Sequence, residues 1–116
     1  MKMRYLATGL VALILPVSAL GGGASATVKV ADDFFSPSTV KVEPGERVEW
    51  KWDGSNSNVH RVTLSDAPKG VDKKDFSSKS GVTAVKFNPR FQRRGSYDFI
   101  CQFHPTLMQM TVKVKG

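Results

Sequence analysis

The sequence predicts an all-β fold, a Greek-key β-sandwich of about seven or eight short strands. Three observations predict it. Apolar residues alternate with polar ones at a period of two, the mark of a half-buried strand. Turns rich in Gly and Pro separate these runs at close spacing. Beyond residue 26, no amphipathic helical period of about 10–15 residues interrupts the pattern. A closed barrel is the alternative arrangement of the same elements.

The first 26 of the 116 residues are expected to stand outside this fold. Lys2 and Arg4 make a basic start, an apolar run covers residues 10–15, and Pro16 breaks it. Ala24, Ser25 and Ala26 then offer small side chains of the kind a signal peptidase cuts after. The segment 1–26 therefore reads as a secretory signal peptide. Its apolar run falls short of the roughly 20 residues needed to span a bilayer, so the mature domain, residues 27–116, is not expected to be transmembrane. No cysteine lies near the cleavage site, which argues against a lipid anchor. The implied location is the periplasm, the cell surface or the exterior.

The mature domain has 90 residues, a small core by any standard. It loses Lys2 and Arg4, so its net charge falls from +7 to +5. That balance suits an acidic partner or an anionic surface. It does not suggest nucleic acid, because acids are interspersed with the bases and no DNA- or RNA-binding motif is present.

The elements follow in order. Residues 27–31 alternate, with Val28 and Val30 on one face. Residues 32–37 read as a turn carrying Phe34 and Phe35. Val40 and Val42 mark the next strand, and Pro44 with Gly45 marks a tight turn. Val48, Trp50 and Trp52 share one face of a strand whose other face carries Arg47, Glu49 and Lys51. Residues 53–58 are a polar loop. Over residues 59–64, His60 shares a face with Val62 and Leu64, so it is expected to point inward at the loop end of that strand. Residues 65–81 are polar and irregular. Residues 82–87 read as a strand with Val85 and Phe87 on one face. Asn88 and Pro89 end it, and Arg90, Arg93 and Arg94 crowd the following turn.

The chain then runs into its chemistry. Tyr97, Phe99 and Cys101 share one face of an incoming strand, and Met108, Met110, Val112 and Val114 share one face of an outgoing one. Between them lies Cys-x-x-His, with Cys101, His104 and, four residues later, Met108. Cys101 is the only cysteine, so an internal disulfide is excluded. Buried alone, it would be a small inert hydrophobe. Beside an imidazole and a thioether it becomes part of a soft donor set. Soft sulfur donors favour copper, and two His with one Cys and a weak axial Met form a blue-copper electron-transfer set. The chain's other histidine, His60, completes it.

At this point the chain resembles the cupredoxin family, in its plastocyanin, amicyanin and pseudoazurin group. An Phe-x-Pro step (Phe35, Pro37), a Pro-Gly turn (Pro44, Gly45) and a Val-x-Trp strand (Val48, Trp50) resemble the family's N-terminal half. His60 before Val62 resembles the segment of its first histidine ligand. The run Gly95, Tyr97, Phe99, Cys101, His104 and Pro105 resembles the segment of the others. The resemblance implies one type 1 copper ion held by His60, Cys101 and His104, with Met108 axial. Met110 is the rival for the axial place, since it stands where relatives often carry Gly. Arg61 replaces an Asn that usually serves the copper sulfur, and Asn58 is the candidate substitute.

The implied function is single-electron shuttling by a monomer without enzymatic activity. Its partners would be redox proteins, acidic ones among them, docking near His104 against Phe103, Pro105 and Leu107. Arg61, Arg90, Arg93 and Arg94 are candidates for steering. Copper carriage or sequestration without electron transfer is the alternative. A catalytic copper domain is disfavoured, because two histidines cannot furnish a second copper centre.

Overall fold

In the computed structural model, which describes residues 24–116, the period-two alternation becomes two facing sheets. The strands among the described residues are β1 (Ala26–Ala31), β2 (Phe34–Ser36), β3 (Thr39–Val42), β4 (Glu46–Trp52), β5 (Val62–Asp66), β6 (Lys86–Phe87), β7 (Arg90–Phe91), β8 (Gly95–Cys101) and β9 (His104–Val114). One sheet has the order β2-β1-β4-β6, with β7 also paired to β4; the other has the order β3-β9-β8-β5. Pairs β1/β4 and β3/β9 are parallel, and the remaining neighbours are antiparallel. The all-β sandwich predicted from the alternation is therefore the fold observed.

The core forms where the inward faces meet. Val28, Val30, Val48 and Trp50 of one sheet pack against Val62, Leu64, Phe99 and Val112 of the other. Trp50 is the central piece, with its ring 4.8 Å from Phe99 and 5.1 Å from Phe87. Such a large aromatic buries more apolar area than any aliphatic residue, and tilted ring contacts add to it. Both halves of the sandwich are thus pinned to one side chain.

Three elements differ from the sequence reading, each for a local reason. Phe34, Phe35 and Ser36, expected in a turn, form β2 because Phe35 buries its ring and pairs with Val30. The strand expected over residues 59–64 starts only at Val62; His60 instead makes an isolated bridge with Gly81. Over residues 82–87 only Lys86 and Phe87 are a strand, and Val82 is exposed. The polar stretch 65–81 also contains a single 3-10 turn, Lys73–Phe76, which Asp72 caps by accepting from the Lys74 amide. Its purpose is apolar: Phe76 is buried against Phe91 and Tyr97.

The expected leader lies outside the described residues except for its end. There, Ala26 already pairs with Val48, and the Ser25 amide donates to the Arg47 carbonyl at 2.9 Å.

The topology gives the sandwich two poles. The ends of β1, β4 and β8 and the starts of β5 and β9 meet at one of them. The starts of β1, β4 and β8 and the ends of β3 and β9 meet at the other, with β7. Seven-residue β8 separates the poles by about 20 Å at the usual rise per residue.

Candidate metal centre

The alternation of β8 decides where Cys101 goes. Tyr97 and Phe99 face the core, so Cys101 does too, and it is fully buried at the strand's end. It pairs with His104 at the start of β9, where the register shifts. Ile100 pairs with Gln109, so residues 105–108 bulge out of the ladder between these two pairs. That bulge turns the His104 ring back over the cysteine. Its Nδ1 lies 3.6 Å from Cys101 Sγ.

His60 comes from the segment just before the neighbouring strand, β5. Val62 pairs with Cys101, so the chain just before β5 passes beside the sulfur. The His60 ring is wholly buried, and its Nδ1 is 3.8 Å from Sγ. A strap over residues 78–81 holds this segment from its other side. His60 N–H donates to the Gly81 carbonyl at 2.9 Å, and Gly81 N–H returns a bond to the His60 carbonyl at 3.1 Å. Ser78 does the same for Val62: its amide donates to the Val62 carbonyl and its hydroxyl accepts from the Val62 amide, both at 2.9 Å. Gly81 itself is crowded by the turn that follows it, where a Cβ would lie 2.5 Å from a Val85 methyl.

These three residues group their donor atoms within 4.8 Å of one another. The spacing can be tested against a metal. Bonds of about 2.0 Å to imidazole and about 2.3 Å to thiolate, as in zinc sites, set at a trigonal angle put N and S about 3.7 Å apart. The two observed N–S separations are 3.6 and 3.8 Å. Two Nδ1 atoms and one buried sulfur therefore converge on a point that fits a soft first-row ion, as the donor chemistry requires.

The family model for copper-binding proteins of the plastocyanin/azurin family matches residues 23–115. The chain belongs to this family. Solved structures agree on the fold. A copper-containing nitrite reductase from Thermus scotoductus superposes with a TM-score of 0.66 at 20% identity, over 78% of this chain. The chain spans only 22% of that enzyme's length. A purple cupredoxin from Nitrosopumilus maritimus matches with a TM-score of 0.64 at 26% identity, over 78% of this chain and 99% of the other. An amicyanin variant in its oxidised state gives 0.66 at 22% identity, over 84% and 88%. This cupredoxin binds copper, and the grouped His60, Cys101 and His104 are its candidate site.

The two methionines are told apart by register. Met110 pairs with Phe99 within the ladder, deep in the core. Met108 lies two residues earlier, at the end of the bulge that separates the Cys101–His104 and Ile100–Gln109 pairs, and is fully buried.

Two carboxylates at this pole went unmarked in the sequence. Asp32 Oδ1 lies 2.7 Å from His60 Nε2. Its carboxylate also accepts from the Ser57 amide at 2.6 Å and the Asn58 amide at 3.1 Å. The Ser57 N–H foremost, then His60 and Asn58, hold its pKa below the ordinary aspartate value against the opposing push of burial. Asp33 Oδ1 accepts from Asn58 Nδ2 at 3.0 Å and lies 3.8 Å from His104 Nε2. The only signal available was a pair of acids ending a predicted strand. Nothing in the chain's order says that this end meets the loop 53–58.

One expectation for a neighbouring residue is corrected. Asn58 does not substitute for an amide at the sulfur, because its side chain is spent on Asp33. Arg61 turns away as well: its Nε donates to the Ser78 carbonyl at 2.8 Å and its Nη1 to Gln102 Oε1. Arg90, Arg93 and Arg94, the other steering candidates, are not beside His104 in the chain's fold. They precede or flank the start of β8, at the opposite pole.

Proposed function

We propose that this cupredoxin is an exported type 1 (blue) copper protein that shuttles single electrons between redox proteins. In this reading His60, Cys101 and His104 are the equatorial ligands and Met108 the axial one. The observation that carries it is the convergence of two imidazole Nδ1 atoms on one buried thiol, held by the fold itself.

Copper, when bound, supplies the one-electron couple. The protein's part is to hold a geometry that suits both oxidation states, so that little moves on transfer. The bridged His60 segment, the paired ends of β8 and β9, and Pro105 in the bulge supply that rigidity. Shielding from water comes from burial of Cys101, His60 and Met108.

Of the two imidazoles, only that of His104 reaches the surface, with 24% of its side chain exposed. Exposed apolar side chains gather at the same pole. The exposed large hydrophobics among the described residues are Phe34, Val59, Val82, Phe103 and Leu107. Each is a chain neighbour of Asp33, His60, Gly81, His104 or Met108, so all five belong to this pole. A solvent-facing apolar patch of this kind suits brief docking of a redox partner, with the electron leaving through His104. The positive net charge draws acidic partners at long range, while the contacts themselves are apolar.

The protein is proposed to act as a carrier without turnover. Both of its histidines are committed to one site, which leaves none for a catalytic copper. Export rests on the basic-apolar-small pattern of residues 1–26. Among the described residues no helix is long and apolar enough to cross a membrane.

The deciding experiment is visible and EPR spectroscopy of the copper-loaded domain, wild type and Cys101→Ser. An intense thiolate-to-copper band, bleached by reduction, restored by oxidation and absent from the variant, is expected. A pale tetragonal spectrum in the wild type would reject the trigonal thiolate site.

A further inference from the structure

The two carboxylates beside the ligand histidines have a role that packing does not explain. Asp32 and Asp33 follow β1 directly, and their contacts are ordered by the loop over residues 53–58. Two backbone amides, Ser57 and Asn58, clamp the Asp32 carboxylate. The Asn58 side chain holds Asp33. Neither acid faces a lysine or arginine: among the described residues their ion-pair partners are His60 and His104 alone. Their charge is therefore directed at the two imidazoles.

Two physical consequences follow. A carboxylate is an acceptor only, so a 2.7 Å contact between Asp32 Oδ1 and His60 Nε2 requires the ring proton on Nε2. That fixes the tautomer and leaves the Nδ1 lone pair facing Cys101. A carboxylate bonded to the far nitrogen of a ligand imidazole also raises that ligand's basicity. In addition, two negative charges placed one imidazole width from the metal position favour the more positive oxidation state.

We propose that Asp32 and Asp33 are positioning residues that bias the centre toward Cu(II), Asp32 by fixing and polarising His60 and Asp33 by its charge beside His104. This rests on the ligand assignment given above. The asymmetry of the contacts, 2.7 Å against 3.8 Å, makes Asp32 the stronger of the two.

The test compares Asp32→Asn and Asp33→Asn with the wild type in the full mature domain. The first readout is the midpoint potential of the copper-loaded protein by voltammetry. Loss of a partner of this kind typically weakens metal binding 10- to 100-fold. If the loss falls on Cu(II), the potential rises by about 59 mV for each tenfold. Asp32→Asn should show the larger rise, Asp33→Asn a smaller one in the same direction. The second readout needs no copper: ring nitrogen NMR shifts of His60 in the metal-free domain. The wild type should show the Nε2–H tautomer alone, and Asp32→Asn a mixture. An unchanged potential in Asp32→Asn, with only thermal stability lowered, would reduce Asp32 to a loop clamp and overturn the proposal. A potential that falls would overturn it equally. A wild type without a blue band would overturn the ligand assignment and the copper bias with it. In that case a single Nε2–H tautomer would still show that Asp32 fixes His60.

Discussion

The two poles of the sandwich are built from the same strands yet solve different problems. At the metal pole, chain ends converge the side chains of His60, Cys101 and His104 on one buried point, and Asp32 reaches the far side of the His60 ring. At the far pole, aromatic rings close the core. Phe91 meets Phe76 at a tilt and Tyr97 and Phe99 edge to face, with ring separations of 5.1, 4.9 and 6.1 Å. The charges differ as well. Asp32 and Asp33 stand at the first pole and Arg90, Arg93 and Arg94 at the second. The contrast teaches that stability and metal chemistry are separable here. One end can be weakened without retuning the other, because about 20 Å of core lies between them.

The largest expected effect breaks the far pole. Phe91→Ala removes a fully buried ring that meets four other aromatics, including Trp50 at 6.3 Å. Truncating such a ring costs about 3–5 kcal/mol. In a domain this small, that is a large share of the whole. Urea unfolding should show a much lower midpoint, while the copper spectrum of the molecules still folded stays that of the wild type. A shifted spectrum would mean that the two poles are coupled.

The poles also differed in how far they could be read from the chain. The inward phase of His60, Cys101 and Met108 was legible, because strict alternation assigns faces without knowledge of partners. So was the architecture, from the spacing of turns. What escaped is what depends on who meets whom. Phe34 to Ser36 became a strand only because β1 offered an edge. The strand expected at residue 59 was shortened because His60 pairs with Gly81 rather than with a sheet. The Asp32 contact joins residues 28 positions apart, across a loop whose path no local pattern specifies. The position of the steering candidates escaped for the same reason: Arg90, Arg93 and Arg94 are close to Cys101 in sequence but lie at the other end of β8.

A smaller effect sharpens the metal pole. Met108 lies in the bulge that follows His104, whereas Met110 sits within the ladder, opposite Phe99. Met108→Leu should shift the reduction potential and the visible band with little change in stability, since Leu and Met exchange volume for less than about 1.5 kcal/mol. Met110→Leu should leave the potential alone and alter only the unfolding midpoint. The opposite pattern, read by voltammetry on both variants, would move the axial ligand to Met110.

The smallest effect tests whether protons at the far pole leave the metal pole undisturbed. Glu46 opens β4 and its Oε1 accepts from the Glu43 amide at 2.7 Å. That bond, with help from the Ser25 side chain, holds the Glu46 pKa below its ordinary value of 4.5, against the contrary effect of burial. A carboxylate whose folded pKa lies below its unfolded one adds stability above the unfolded value. That contribution is lost as pH falls through the folded pKa. Glu46→Gln should therefore lower the unfolding midpoint at pH 7, and the gap to wild type should close as the pH drops below 4.5. A domain trimmed to residues 27–116 lacks Ser25 but keeps the Glu43 amide, the larger cause, so its gap should shrink without vanishing. At pH 7, Glu46→Gln should leave the copper spectrum untouched, because the carboxylate lies at the start of β4 and the ligands lie beyond its end. A pH-independent gap would show that Glu46 acts through packing. A spectral change at pH 7 would show that the strand carries strain from one pole to the other.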